Sequence, residues 1–250
     1  MRRALQVNAS VSPAVAVDTT ETIAHQHLIS RGFTDVVFEP DGNIPPDFLV
    51  DGHIAVEVRR LNQNWTGPAG HEGLEQVIFP LRSLFERVLP SLGPPDANES
   101  WFVIYTFRRP LPPWKQVEAA IRGALVGLSG AAVAQAGKLQ VLPTLRLELI
   151  RASKVHATKF LLGGFMDRNS GGFVVAEMDR NIKICVREKA GKVAPVRPKY
   201  PLWWLLLVDR VAHGLSTQDH EHLRAILGEQ AEWDKLIIVN PEDPSQAFEV

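Results

Sequence analysis

The stretch DFLVDGHIAVEVRRL, residues 47–61, constrains the fold of this chain more than any other part of its sequence. Two apolar runs lie on either side of Asp51 and Gly52, and an Asp-Gly pair is typical of the turn in a β-hairpin. Successive side chains of a strand point to opposite faces of a sheet. The stretch therefore predicts two antiparallel strands that share one buried apolar face.

The length of the loop decides which side chains share that face, because a slip of one residue moves a whole strand's side chains to the other face. A two-residue loop would pair Asp47 with Val56 and mix polar with apolar side chains. A three-residue loop, or one bulged residue, would pair Asp47 with Glu57, and we predict this register because it makes one face wholly apolar. That apolar face consists of Phe48, Val50, Ile54, Val56 and Val58. Asp47, Glu57 and Arg59 then converge on the opposite face.

Two carboxylates that face each other on neighbouring strands repel by an amount comparable to an ordinary cross-strand pair, roughly 0.2–1 kcal/mol. Arg59 would compensate Asp47 and Glu57 as a plain salt bridge, which requires no function. A hard cation would compensate them as well, because Mg²⁺ binds one or two carboxylates and keeps several of its waters. The residues alone leave both interpretations open.

The order of the other elements indicates an α/β protein. A short helix that ends at Gly32 precedes the hairpin, and a strongly apolar strand follows at 101–107. Further on, strands are mixed with helices, among them a buried strand within LWWLLLVDR at 202–210. This order predicts a central mixed β-sheet flanked by helices.

Two further segments carry specific predictions. Residues 71–89 are predicted as a helix with a kink or break at Pro80. Residues 159–175, KFLLGGFMDRNSGGFVV, are predicted as two short strands around a mobile polar tip, because glycines permit positive φ angles.

The length of 250 residues suits one elaborated α/β domain. We place this domain at 18–250, with a core at 18–110 and an elaboration at 111–250. Residues 1–17 are predicted to form a flexible N-terminal arm, because they lack the continuous apolar stretch of a secretory signal.

Composition restricts the location and the partners of the chain. The only cysteine, Cys185, excludes an internal disulfide or a cysteine-built zinc site, and it fits the reducing cytoplasm, where we expect the protein. The longest apolar run, at 202–208, is far shorter than the roughly 20 residues that span a bilayer, so no membrane insertion is expected. The net charge of −1 argues against a general binder of polyanions.

Positive charge is nevertheless concentrated in one segment. Between Arg180 and Lys199 there are seven Lys or Arg residues and one acid, Glu188. Such a segment is expected either to contact the phosphates of a nucleic acid or to form a solvated helix face. The candidate nucleic-acid-binding residues are Lys183, Arg187, Lys189, Lys192, Arg197 and Lys199.

The region from Glu21 to Leu61, with a looser fit through Phe107, resembles the PD-(D/E)XK or restriction-endonuclease-like nuclease superfamily. The resemblance rests on a first helix with an early Glu, a Gly-Phe turn, a strand, Pro46-Asp47, the hairpin, and Val-Glu-Val with a basic residue two positions after the Glu. It implies a restriction-endonuclease-like fold. It also implies that Asp47 and Glu57 bind Mg²⁺ or Mn²⁺, to which the Val58 carbonyl adds a ligand.

In such enzymes the metal polarises the phosphate and generates hydroxide from bound water, and a lysine orients that water or stabilises the developing charge. Arg59 stands at the position of that lysine, and arginine does not lose its proton. Glu21 would be the first-helix acid that assists metal binding in some members. Glu21 is equally interpreted as a capping-box partner of Asp18.

The resemblance implies a metal-dependent nuclease that cleaves phosphodiester bonds, with DNA as the expected partner and RNA as the alternative. A homodimer is a further option for its assembly. The alternative function is that of a catalytically degenerate member, which binds nucleic acid or a protein partner without cleavage.

Overall fold

The computed structural model of the protein describes residues 19–68, 70–95, 98–128, 137–212 and 214–250. The predicted N-terminal arm at 1–17 lies outside the described residues.

Helices are interspersed with strands along the chain. The helices are α1 (Thr19–Ser30), α2 (Glu75–Val88), α3 (Trp114–Leu125), α4 (Val174–Val193) and α5 (Thr217–Leu227). The strands are β1 (Val36–Phe38), β2 (Phe48–Val50), β3 (Ile54–Leu61), β4 (Asn64–Gly67), β5 (Gly70–Gly73), β6 (Trp101–Phe107), β7 (Lys138–Leu142), β8 (Leu145–Arg151), β9 (Phe160–Asp167), β10 (Leu202–Asp209), β11 (Lys235–Val239) and β12 (Ala247–Glu249).

The chain divides into two compact units. The first unit consists of Met1–Leu61 and Cys185–Val250, and the second unit consists of Asn62–Ile184. The sequence predicts one domain with an internal boundary after residue 110, whereas the units divide after Leu61 and within α4. This difference arises because β6 pairs with β8 and β9, and therefore belongs to a sheet separate from that of the hairpin. The single domain itself stays a prediction.

The first unit is built on a six-stranded mixed sheet in the order β1-β2-β3-β10-β11-β12. Strands β3, β10 and β11 are parallel to one another, whereas the pairs at both edges are antiparallel. One face of this sheet packs against α1, whose Ile23, Ala24 and Leu28 are buried in one cluster with Trp204 and Leu206 of β10.

The hairpin has the register that the sequence predicts. Phe48 pairs with Val56 and Val50 pairs with Ile54, which leaves a three-residue loop at 51–53. The loop turns through two positive φ angles, 50° at Asp51 and 69° at Gly52. The predicted apolar face, formed by Phe48, Val50, Ile54, Val56 and Val58, is buried against α1 and β10.

The second unit has a four-stranded sheet in the order β7-β8-β6-β9 and a separate hairpin of β4 and β5. Strands β7, β8 and β6 pair antiparallel, and β9 is parallel to β6. Alternate residues of β6 and β8 form one apolar core with α2 and α3. Both units are thus mixed α/β structures with helices packed against sheets, so the predicted α/β class is confirmed at this level.

The helix predicted at 71–89 begins later in the structure and continues past Pro80. Its first residues belong to β5, which pairs with β4 and precedes α2. Gly73 ends this strand in close contact, because a Cβ atom there would lie 2.5 Å from Nδ2 of Asn62 and 2.7 Å from Oε1 of Glu75. Gly70 and Gly73 therefore bound strand β5, and the helix begins only at Glu75.

The two strands predicted at 159–175 are one strand and the start of a helix. Strand β9 ends at Asp167, and the second apolar run begins α4 at Val174. That run continues at helical spacing into Met178 and Ile182, which are buried. Val174, Met178 and Ile182 are four residues apart, which is typical of one face of a helix. The short run at 173–175 is therefore not a strand.

The apolar run at 202–208 forms β10 in the centre of the first sheet. Within the described parts of the chain, no helix combines the length and the apolar character needed to cross a membrane.

The second unit contains a buried ion pair where β6 and β9 end. Nη1 of Arg109 lies 2.7 Å from Oδ2 of Asp167, and both side chains are 1% exposed. Nη2 of Arg109 also donates a hydrogen bond to the Leu74 carbonyl at 2.6 Å. Removal of one partner leaves a buried charge without compensation, which is much more costly than the loss of an exposed pair.

We expect Asp167→Ala to lower the free energy of unfolding by about 3–5 kcal/mol, because the guanidinium of Arg109 stays buried without its carboxylate. Urea denaturation of the full chain measures this change. The matched control is Glu86→Ala, which removes the exposed Arg82–Glu86 pair and should leave the free energy of unfolding nearly unchanged. Equal effects of the two substitutions would contradict the role of burial.

Candidate functional site

Glu57 is a carboxylate in the middle of the first unit's sheet. It lies on β3, between β2 and β10, and its side chain is fully buried. It points to the face opposite Val56 and Val58, because side chains alternate along a strand. On that face, Glu57 contacts residues of α4 instead of α1.

Asp47 lies directly before β2 and is held against β3. Its Oδ2 atom accepts a hydrogen bond from the backbone N–H of Val58 at 2.7 Å. This contact continues the antiparallel pairing by one position, where Asp47 is opposite Glu57. The predicted proximity of the two acids is therefore present in the structure.

A lysine of α4 bridges the two carboxylates. Nζ of Lys189 lies 2.7 Å from Oε1 of Glu57 and 3.6 Å from Oδ2 of Asp47. Lys192, one turn further along the helix, places its Nζ 3.3 Å from the same Oε1 atom. Lys189 is only 12% exposed and Lys192 is 52% exposed, so Lys189 is the inner of the two cations.

One oxygen of Glu57 has no hydrogen-bond partner among the residues that the structure describes. Oε2 is buried and unpaired, whereas both lysines contact Oε1. Burial raises the pKa of the Glu57 carboxyl, the charge of Lys189 lowers it, and the charge of Asp47 raises it again. The net effect is a raised pKa, because burial is the largest of these causes.

Arg59 lies on the same face of β3 as Glu57 but contacts a different acid. Its Nη2 atom is 2.6 Å from Oε2 of Glu188 on α4. The Cys185 thiol is close to Arg59. Burial raises the pKa of this thiol and outweighs the opposing effect of the Arg59 charge. The salt bridge that the sequence suggested between Arg59 and the two acids is therefore absent from the described residues. Arg59 is two residues beyond Glu57 on β3, and the α4 residue next to Arg59 is Glu188.

The remaining predicted site residues are placed as follows. Glu21 lies in the first turn of α1 and is partly buried, whereas its proposed cap Asp18 lies outside the described residues. The N–H of Val58 points to the Asp47 side of β3, and its carbonyl shares that direction because both groups of a strand residue face one neighbouring strand. The roles predicted for Glu21 and Val58 stay predictions.

The predicted nucleic-acid-binding residues do not form one free basic face. Lys189 and Lys192 contact Glu57, and Lys183 pairs with Asp179 at 2.7 Å. Two others have oxygen partners: Arg197 donates to the Glu232 carbonyl, and Lys199 donates to Asp41. Arg187 is exposed. Because Lys183 belongs to the second unit and the others to the first, the segment splits between units.

The donors at Asp47 and Glu57 fit a hydrated divalent cation. No group of three or more His, Cys, Asp or Glu residues in the described ranges is arranged to hold a metal ion. Mg²⁺ does not require such a group, because it binds through one or two carboxylates and keeps water ligands. The unpaired Oε2 of Glu57 is a buried acceptor of the required kind.

No protein-family model, no curated protein and no solved structure matches this chain. Its function therefore has to be inferred from the geometry of the site.

Lys189 is the partner of both acids, whereas the sequence predicts phosphate contacts for this residue. A signal was present in the spacing of α4. Ile182, Val186 and Val193 are buried at helical intervals, and Lys189 falls in the same stripe. A lysine inside an apolar stripe indicates a nearby carboxylate, since burial of an unpaired charge is unfavourable.

The raised pKa of Glu57 predicts a pH dependence of stability. Glu57 binds its proton more tightly in the folded chain, so its contribution to stability is fully present below the ordinary pKa of 4.5 and is lost as the pH rises through the folded-state pKa. Glu57→Gln removes this titration. We therefore expect the free energy of unfolding of the variant, minus that of the wild type, to increase as the pH rises above 4.5.

Denaturant unfolding of both proteins over a pH series measures this difference. A difference that stays constant with pH, or that decreases as the pH rises, would show that Glu57 does not have a raised pKa in the folded chain.

Proposed function

We propose that the chain is a divalent-metal-dependent nuclease of the PD-(D/E)XK, restriction-endonuclease-like class, with DNA as its substrate and RNA as the alternative. The observation that carries this proposal is the contact of Lys189 with both Asp47 and Glu57. This contact supplies a lysine at the two acids, which the sequence lacks at position 59.

The fold supports this assignment. A first helix, then β1, and then the hairpin of β2 and β3 occur in the order on which the resemblance rests. The acidic pair lies on the central hairpin of this sheet, with one member buried.

The chain's own groups have distinct roles in the proposal. Asp47, the Oε2 atom of Glu57 and the Val58 carbonyl would hold Mg²⁺ or Mn²⁺. The bound ion would polarise the phosphate and lower the pKa of a coordinated water. The hydrogen bond from the Val58 N–H orients the Asp47 carboxylate, which keeps that carboxylate beside β3.

Lys189 provides what Arg59 does not. Its ammonium group is mobile on a long side chain, stabilises negative charge, and can give up a proton when buried, whereas a guanidinium stays charged. In this proposal Lys189 acts at the scissile phosphate. Arg59 is a positioning residue, because its ion pair with Glu188 connects β3 to the helix that carries Lys189.

A second candidate function is a nuclease fold that binds nucleic acid or a protein without cleavage. One observation favours it: Lys189 and Lys192 supply two positive charges near two carboxylates, so the acids are compensated without a metal ion. The two functions differ in whether the lysines compensate the acids permanently or move aside for a cation.

Metal-dependent cleavage tests the proposal. Supercoiled plasmid, single-stranded DNA and RNA are incubated with the wild type and Mg²⁺ or Mn²⁺. We expect cleavage of at least one substrate, and a loss of rate of about 100-fold or more in Glu57→Gln and in Lys189→Ala, since each removes a charged group at the reacting centre. Addition of EDTA should abolish the wild-type activity.

Lys235→Ala is the matched control, because Lys235 lies on β11 of the same unit and pairs with Glu249. Its cleavage rate should stay close to that of the wild type. Absence of cleavage by the wild type on all three substrates would reject the nuclease in favour of the binding protein. Cleavage that survives Lys189→Ala would reject the role of Lys189.

A further inference from the structure

Three arginines line one cavity in the second unit. The cavity has a volume of about 250 Å³, and Arg108, Arg146 and Arg168 contribute to its lining. All three side chains are exposed. Thr106 and Thr144 also line the cavity, whereas none of the described residues that line it is Asp or Glu.

The sheet and two backbone hydrogen bonds hold these arginines in position. Arg146 lies on β8 and pairs directly with Thr106 of β6. Arg108 follows β6, and its N–H donates to the Thr144 carbonyl at 3.0 Å. Arg168 follows β9, and its N–H donates to the Phe107 carbonyl at 2.9 Å. Strand ends thus bring together three residues that are distant in sequence.

The three arginines differ from the other arginines of their unit. Among the described residues of this unit, every other arginine forms an ion pair with a carboxylate. These paired residues are Arg82, Arg87, Arg109, Arg122, Arg151 and Arg180. Arg108, Arg146 and Arg168 form no ion pair with the described residues. The arginines that lack an acid are therefore the ones that share a cavity.

Like charges gathered without an acid create a local positive potential that attracts anions. Guanidinium groups bind phosphate oxygens through two parallel hydrogen bonds, which is why arginine is common in phosphate sites. Threonine hydroxyls add further donors to phosphate. We propose that this cavity binds a backbone phosphate of a single-stranded nucleic acid.

The face of the sheet beside the cavity favours a single strand over a duplex. Helices α2 and α3 pack on the opposite face, where the apolar core lies. On the face of Thr106 and Arg146, Met166 is 61% exposed and Ile150 is 45% exposed. Unpaired bases present apolar surfaces to such side chains, whereas the bases of a duplex are stacked inside it.

This site is separate from the proposed nuclease centre. The three arginines belong to the second unit, whereas Asp47, Glu57 and Lys189 belong to the first. Binding at the cavity requires neither a metal ion nor cleavage. The two proposals can therefore fail independently.

Binding of a fluorescein-labelled single-stranded DNA to the full chain, followed by anisotropy in EDTA, tests the proposal. We expect Arg108→Gln, Arg146→Gln and Arg168→Gln each to weaken binding by about 3- to 10-fold, and each to reduce the slope of log K against log salt by about 0.7, as for one lost contact with a single strand. The matched control is Arg151→Gln, on the same strand as Arg146 but paired with Glu99. Its affinity should stay within about 2-fold of the wild type.

Two further probes establish the chemistry of the ligand. An oligonucleotide of the same sequence with an uncharged methylphosphonate backbone should bind weakly, and the arginine variants should not change that binding. A duplex of the same sequence should bind less tightly than the single strand.

Several outcomes would overturn the proposal. These are wild-type affinity in the three cavity variants, an equal loss in Arg151→Gln, wild-type binding of the methylphosphonate strand as tight as that of the phosphodiester strand, and tighter binding of the duplex. Because EDTA removes metal, none of these outcomes depends on whether the chain cleaves nucleic acid. A chain that cuts but shows no arginine effect would lose only this proposal.

Discussion

The arrangement of the first unit depends on one buried charge. Glu57 is fully buried in the central strand of a sheet, where an ionised carboxylate is unfavourable without a partner. Lys189 and Lys192 supply that partner from α4. Strand and helix are thus joined by electrostatics on the face opposite the apolar cluster of α1. The ion pair of Arg59 with Glu188 adds a second contact between the same strand and helix.

The hairpin could be predicted in detail because its information is local. Alternating apolar residues on both sides of Asp51-Gly52 permit only one register that buries a wholly apolar face, and that register is the observed one. The partner of Glu57 could not be predicted in the same way. Lys189 is more than one hundred residues away, and the local sequence shows only a basic segment. Helical spacing indicates its buried stripe once α4 is known, but not which carboxylate it contacts.

The division of the chain into two units could not be predicted from the sequence for a related reason. Ile54 pairs with Leu202 and so joins β3 to β10, although the whole second unit lies between these strands in the sequence. No local sequence pattern predicts such a contact. Similarly, Arg108, Arg146 and Arg168 are unremarkable in the sequence, since each is one basic residue beside a strand. Their shared cavity appears only when β6, β8 and β9 are placed side by side.

The parallel pair of β3 and β10 also determines when the first unit can complete its fold. During synthesis the hairpin leaves the ribosome first, yet its central strand lacks a neighbour until Leu202–Asp209 has been made. The second unit is contiguous and contains all the strands of its own sheet. Contiguous units generally fold as they emerge, so the second unit is complete before the first. In the interval, Glu57 lacks the neighbouring strand β10, and its burial is completed only when the C-terminal part of the chain has been made.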